Sequence, residues 1–77
     1  MEWRNMIVED PDVLGGRPVV AGTRLAVDFI LDLLAQGWTE EQLLENYPGL
    51  SRKALEAVFA FSAESLRETG FHSVAHA

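Results

Sequence analysis

The stretch from Gly15 to Val27, Gly-Gly-Arg-Pro-Val-Val-Ala-Gly-Thr-Arg-Leu-Ala-Val, constrains this chain more than any other part of it. Glycines bracket a short β-branched run, so the backbone can reverse before Val19 and again at Gly22, where a Cβ would restrict it. The pattern predicts a turn, a short strand and a second turn that feeds Val27 straight into a helix. It also sets Arg17 and Arg24 on either side of the extended piece. Two guanidinium forks on one rigid scaffold suit bidentate contact with carboxylates or phosphates. The alternative for either arginine is a pairing with one of the chain's own abundant carboxylates. A nucleotide-binding phosphate loop is excluded, because no lysine follows Gly22 and the glycine spacing is one residue too long.

Upstream, Met6-Ile7-Val8 has the branched apolar character of a short strand, and Pro11 stops it. Pairing of this segment with Val19 and Val20 gives a two-stranded β-ribbon over residues 6–25. Such a ribbon is marginally stable alone, so it must lie on helices or on a second copy of itself. Met1 to Asn5 reads as a frayed end, although Trp3 is large enough to dock.

Three helices are expected at 27–36, 40–46 and 52–69. The first places Val27, Phe29, Ile30, Leu31, Leu33 and Leu34 around a broad arc, with Asp28, Asp32 and Gln36 as a solvated stripe. Gly37 ends it, whereas no capping residue marks its start. The second opens with Thr39 as cap, Gln42 reaching back from the third helical position and Trp38 stapled onto Leu43. Pro48 limits its length by biasing Tyr47 away from helical angles. The third is capped by Ser51 and carries Arg52 and Lys53 in its first turn, at the end that prefers anions. Two cations, exposed amides and a positive helix end are arranged to receive a phosphate or carboxylate; the competing reading pairs Arg52 and Lys53 with Glu56. Along this helix Leu55, Val58, Phe59, Ser62 and Leu66 form one face, and Ala54, Ala57 and Phe61 a second. One small core cannot easily cover both, so Val19, Val20, Ala54, Ala57 and Phe61, with Phe71 beyond the helix, are the expected dimer or partner surface. Gly70 is the expected C-cap, and residues 70–77 the flexible tail of a single 1–77 domain.

Composition narrows the functional classes. A chain of 77 residues buries only about 60% of its unfolded surface, so its stability is marginal. Twelve acidic against six basic residues give a formal charge of −6, which opposes non-specific attraction to nucleic acid or anionic lipid and favours a basic protein partner. The absence of cysteine excludes disulfides and thiolate metal sites and fits a cytoplasmic setting. Met1-Glu-Trp-Arg-Asn lacks signal-peptide order, and no apolar run approaches the roughly 20 residues of a membrane span. His72 and His76 have helical spacing for a shared metal but no third ligand, so no metal and no cofactor are expected. With both histidines in the tail and the serines without a visible base, the chain is not expected to be an enzyme or to have a small-molecule substrate.

The residues Asp10-Pro-Asp-Val-Leu-Gly-Gly-Arg-Pro-Val-Val-Ala-Gly-Thr-Arg24, followed in order by Gly37-Trp38-Thr39, Tyr47-Pro48 and Leu50-Ser51, resemble the bacterial and archaeal domain-of-unknown-function family 433. The resemblance covers about residues 6 to 65. Family members often carry proline where this chain has Ala26, and an acidic residue in the first turn of the third helix. The resemblance implies a mainly α fold, with a short N-terminal β-ribbon followed by a three-helix, helix-turn-helix-like bundle. It also implies an antitoxin-like partner of a PIN-like ribonuclease toxin; with no catalytic set in the residues, the expectation is a non-enzymatic antitoxin of a type II toxin-antitoxin pair, a homodimer that could also bind its own operator DNA. The alternative is a stand-alone homodimeric helix-turn-helix transcription regulator, in which Arg17, Arg24, Ser51, Arg52 and Lys53 contact DNA or another anion. Against operator binding, the polar stripe of the third helix continues as Glu56, Ala60, Ala63 and Glu64, side chains poorly suited to base edges.

Overall fold

The computed structural model describes residues 1–69. A short antiparallel ribbon, β1 (Ile7–Glu9) and β2 (Pro18–Val20), precedes three helices, α1 (Val27–Ala35), α2 (Glu40–Asn46) and α3 (Arg52–Glu68). Ile7 pairs with Val20, Val8 with Val19 and Glu9 with Pro18. Side chains alternate across a strand: the Ile7 and Val20 pair turns into the main core, while on the other face Val8 stays exposed and its partner Val19 is nonetheless buried. The far edge of β2 bridges to Ala26, and the Val20 N–H donates to the Leu25 carbonyl at 3.0 Å. The turn between them has Gly22 at φ 78°, as the sequence requires. Thr23 locks it: its hydroxyl donates to the Val20 carbonyl at 2.8 Å and accepts from the Leu25 N–H at 3.0 Å.

The helices begin and end where local chemistry says they should. Ala26 offers α1 no side-chain cap; its extended backbone, bridged to Val19, fixes the entry instead. At the other end the Gly37 and Trp38 N–H groups donate to the Leu34 and Leu33 carbonyls, the paired bonds of a Schellman motif. In α2 the capping box is complete, with Gln42 N–H donating to Thr39 Oγ1 at 3.1 Å and Thr39 N–H to Gln42 Oε1 at 2.8 Å. In α3 the Ser51 Oγ accepts from the Ala54 N–H at 3.0 Å. This helix ends at Glu68 with Thr69 as its cap, so the expected Gly70 cap lies outside the described residues.

Ile7, Val20, Val27, Ile30, Leu33, Leu43, Leu50, Ala54, Leu55, Ala57 and Val58 form one core shared by ribbon and helices. Fully burying a side chain such as Leu43 is worth about 1.5–3 kcal/mol, and Leu43 of α2, Leu50 of the turn after it, and Leu55 and Val58 of α3 are four such residues. The α2–α3 turn sits directly on the ribbon's turn: a Cβ on Gly49 would lie 3.0 Å from Thr23 Cγ2.

The first residues are not frayed, contrary to the sequence expectation. The Met6 and Ile7 N–H groups both donate to the Trp3 carbonyl, closing a turn that brings Trp3 onto α3. Its indole N–H donates to Glu64 Oε2 at 2.8 Å, and its ring meets Phe61 edge-on at 4.9 Å. Arg4 lies 4.7 Å over the Trp3 ring and pairs with Glu64 at 3.3 Å. An amphipathic ring that can bury its body and satisfy its N–H has reason to dock rather than fray.

Candidate functional site

Of the five residues expected to bind anions, the structure treats each differently. Arg17 follows the Leu14–Gly16 turn and pairs with Asp28 in the first turn of α1. That guanidinium bond holds the Asp28 carboxyl below the ordinary aspartate range. Arg24 is exposed and makes no ion pair among the described residues. Arg52 does not reach Glu56 along its own helix. It crosses to Glu40 in the first turn of α2, at 3.4 Å, because a carboxylate already gathered at the neighbouring helix start offers it compensation there. Ser51 spends its hydroxyl oxygen on the α3 cap. Lys53 is exposed and without an ion pair among the described residues. Arg17 and Arg24 are thus brought together near the ribbon, while Ser51, Arg52 and Lys53 form a separate group at the head of α3.

The expected partner surface needs correction. Val19, Val20, Ala54 and Ala57 are each at most 3% exposed in the single chain, so they are core and no second copy can rest on them. The ribbon supplies the cover: β1 packs on α3 and β2 on α1. The small residues of α3 that suggested a close helix partner instead admit the chain's own N-terminal strand. Phe61 is half-buried under Trp3. Phe71, His72 and His76 lie outside the described residues.

What the packing leaves open is further along α3. This helix has 17 residues, about 26 Å, while α1 has 9, about 14 Å. The fully buried residues of α3 are confined to Ala54–Val58; Phe61, Ser62 and Ser65 are half-buried, and Leu66 is 55% exposed. The result is a groove of about 380 Å³ between Pro18, Val27 and Leu31 on one side and Phe61, Ser62, Ser65 and Leu66 on the other. Arg17 and Asp28 sit at its edge, and Asp32 follows one turn along α1, exposed. The signal available in the sequence was the length of α3 relative to the helices that could cover it.

A second, smaller cleft of about 300 Å³ opens where the Leu14–Gly16 turn faces the start of α1, lined by Leu14, Arg17, Arg24, Leu25, Ala26 and Phe29. Among the described residues no polar side chain is buried, no group of three His, Asp or Glu is placed to hold a metal, and no helix is long and apolar enough to cross a membrane.

Fold and grooves together define a small ribbon-and-three-helix domain whose distinctive surface is an apolar channel beside an overhanging helix. The chain belongs to the family described as "Protein of unknown function (DUF433)", whose sequence profile matches residues 7–62. It is similar to the crystal structure of a DUF433 member protein from Anabaena variabilis ATCC 29413, with a TM-score of 0.77 and 31% identity over 84% of this chain and 64% of that one. It is also 38% identical over 52 residues to the uncharacterized protein y4eO of Sinorhizobium fredii (strain NBRC 101917 / NGR234), covering 68% of this chain. The match spans 24% of that relative's length.

Proposed function

We propose that this chain is a non-enzymatic, antitoxin-like binding protein of the cytoplasm, and that the groove between α1 and α3 is where its partner docks. The observation that carries this reading is the groove itself: most of its lining surface is apolar, and no described residue covers it. Its α1 edge carries Asp28, paired with Arg17, Asp32 is exposed one turn further along α1, and the whole chain has a formal charge of −6. An apolar groove on an acidic chain suits an amphipathic helix of a basic partner, which on this reading is a PIN-like ribonuclease toxin. Association would cover Leu66 and Phe61, and the chain's net negative charge would speed encounter more than it deepens affinity.

Operator binding is the weaker reading. Arg52 is neutralised by Glu40, Glu64 is engaged by Trp3 and Arg4, and Lys53 is the remaining cation at the head of α3 without an ion pair among the described residues.

Co-expression with the product of the adjoining reading frame tests the proposal. The expected outcome is that this product is toxic alone, copurifies with the wild-type chain and is released by Leu66→Arg. Because Leu66 is exposed, that variant should keep its helical circular dichroism. A harmless product that does not copurify would remove the antitoxin reading.

A further inference from the structure

The geometry points to a second site: the cleft beside the Leu14–Gly16 turn binds a phosphomonoester carried on an aromatic body, the chemistry of a mononucleotide. Arg17 and Arg24 both line the cleft, together with Leu14 and Phe29, which remain 38% and 41% exposed. A volume of about 300 Å³ is at the small end of ligand pockets. The cleft shares Arg17 with the edge of the α1–α3 groove, and its test is made on the chain with no partner bound there.

Charge selects the ligand's head. Arg17 is shared with Asp28, and Arg24 pairs with no carboxylate among the described residues, so two guanidiniums face one carboxylate. One positive charge is left unmatched in a chain of formal charge −6. A single carboxylate would satisfy one fork only. A phosphate monoester, with a charge of about −1.5 to −2 at neutral pH and three acceptor oxygens, can engage both. Shape selects the body. The Phe29 ring is held edge-on against Tyr47 at 6.0 Å, with 87° between the planes, so it is oriented before a ligand arrives and still open to solvent. A flat base can stack there beside Leu14 and Leu25, as bases do on exposed aromatic side chains. Two cations on an otherwise acidic chain favour one nucleotide over a polyanionic strand, because each further phosphate would meet the repulsion of the whole surface.

Asp28 competes with such a ligand for Arg17, which gives the site a signature of its own. Amide chemical shifts of the full chain are followed by NMR during titration with adenosine monophosphate, with inorganic phosphate and with a short single-stranded oligonucleotide. Saturable shifts centred on Leu14, Arg17, Arg24 and Phe29 are expected with adenosine monophosphate, which should bind about tenfold tighter than inorganic phosphate, with Arg24→Gln removing about tenfold and Asp28→Asn adding a few-fold. Arg24 and Asp28 are both exposed, and the same spectra report whether each variant keeps its fold. Shifts that do not saturate, or an Arg24→Gln variant that binds as well as wild type, would overturn the site. Equal affinity for inorganic phosphate would overturn the aromatic seat, and tighter binding of the oligonucleotide would overturn the mononucleotide assignment.

Discussion

Arg17 and Arg24 look alike in the sequence and end in different chemical states. Arg17 finds Asp28 because the turn after Gly16 and the first turn of α1 are brought side by side by the β2–Ala26 bridge. Arg24, in the turn between β2 and α1, finds no acid among the described residues. The pair with Arg17 makes a prediction about pH. The hydrogen bond from Arg17 lowers the Asp28 carboxyl, so the pair's stabilisation is complete above the ordinary aspartate range near 3.9 and is lost as pH falls through the depressed folded value. Both side chains are more than half exposed, which limits the contribution to about 0–1 kcal/mol. Carbon-detected NMR titration should place the Asp28 midpoint below that range in the wild type and back within it in Arg17→Gln. An unchanged midpoint in the variant would mean that the guanidinium is not its cause.

The elements show why helix ends were legible and their neighbours were not. The Thr39–Gln42 box, the Ser51 cap and the break at Gly37 are settled within a few residues of chain, and each falls where the spacing put it. Replacing Thr39 or Ser51 by alanine should each lower stability by about 1 kcal/mol, read as a shift in urea midpoint at unchanged slope. The loss at Thr39 should also lower helical signal before global unfolding, because α2 is only 7 residues long and a short helix has few other bonds to hold it. If neither variant shifts, the caps seen in the structure contribute nothing to it. Side-chain partners between elements were another matter. Arg52 has an acid one turn along its own helix in Glu56, yet it bonds Glu40, a choice that depends on how α2 and α3 are set against each other.

For the whole molecule, the decisive feature is the return of the N-terminus to the middle of α3. Trp3 and Glu64 are 61 residues apart in sequence and 2.8 Å apart in the fold. Trp3→Ala should cost about 1–3 kcal/mol, less than a fully buried tryptophan because the ring is only half-covered. Urea unfolding followed by the fluorescence of Trp38, the one tryptophan left, measures it; a loss within error would mean the clamp is only a surface contact. The clamp also bears on the groove, since Phe61 lies under Trp3 on one side and lines the groove on the other. By itself the sequence determined the family, the ribbon, the three helices and their ends, because strand pairing across a glycine turn, capping and apolar periodicity act over a few residues. Only the tertiary structure decided that Val19, Val20, Ala54 and Ala57 are interior, that Trp3 is docked, and that the open apolar surface lies at Leu31 and Leu66. Those outcomes depend on which faces meet across the full length of the chain, and a short ribbon folded back onto a helix covers a stripe that its residue spacing alone would assign to a second molecule.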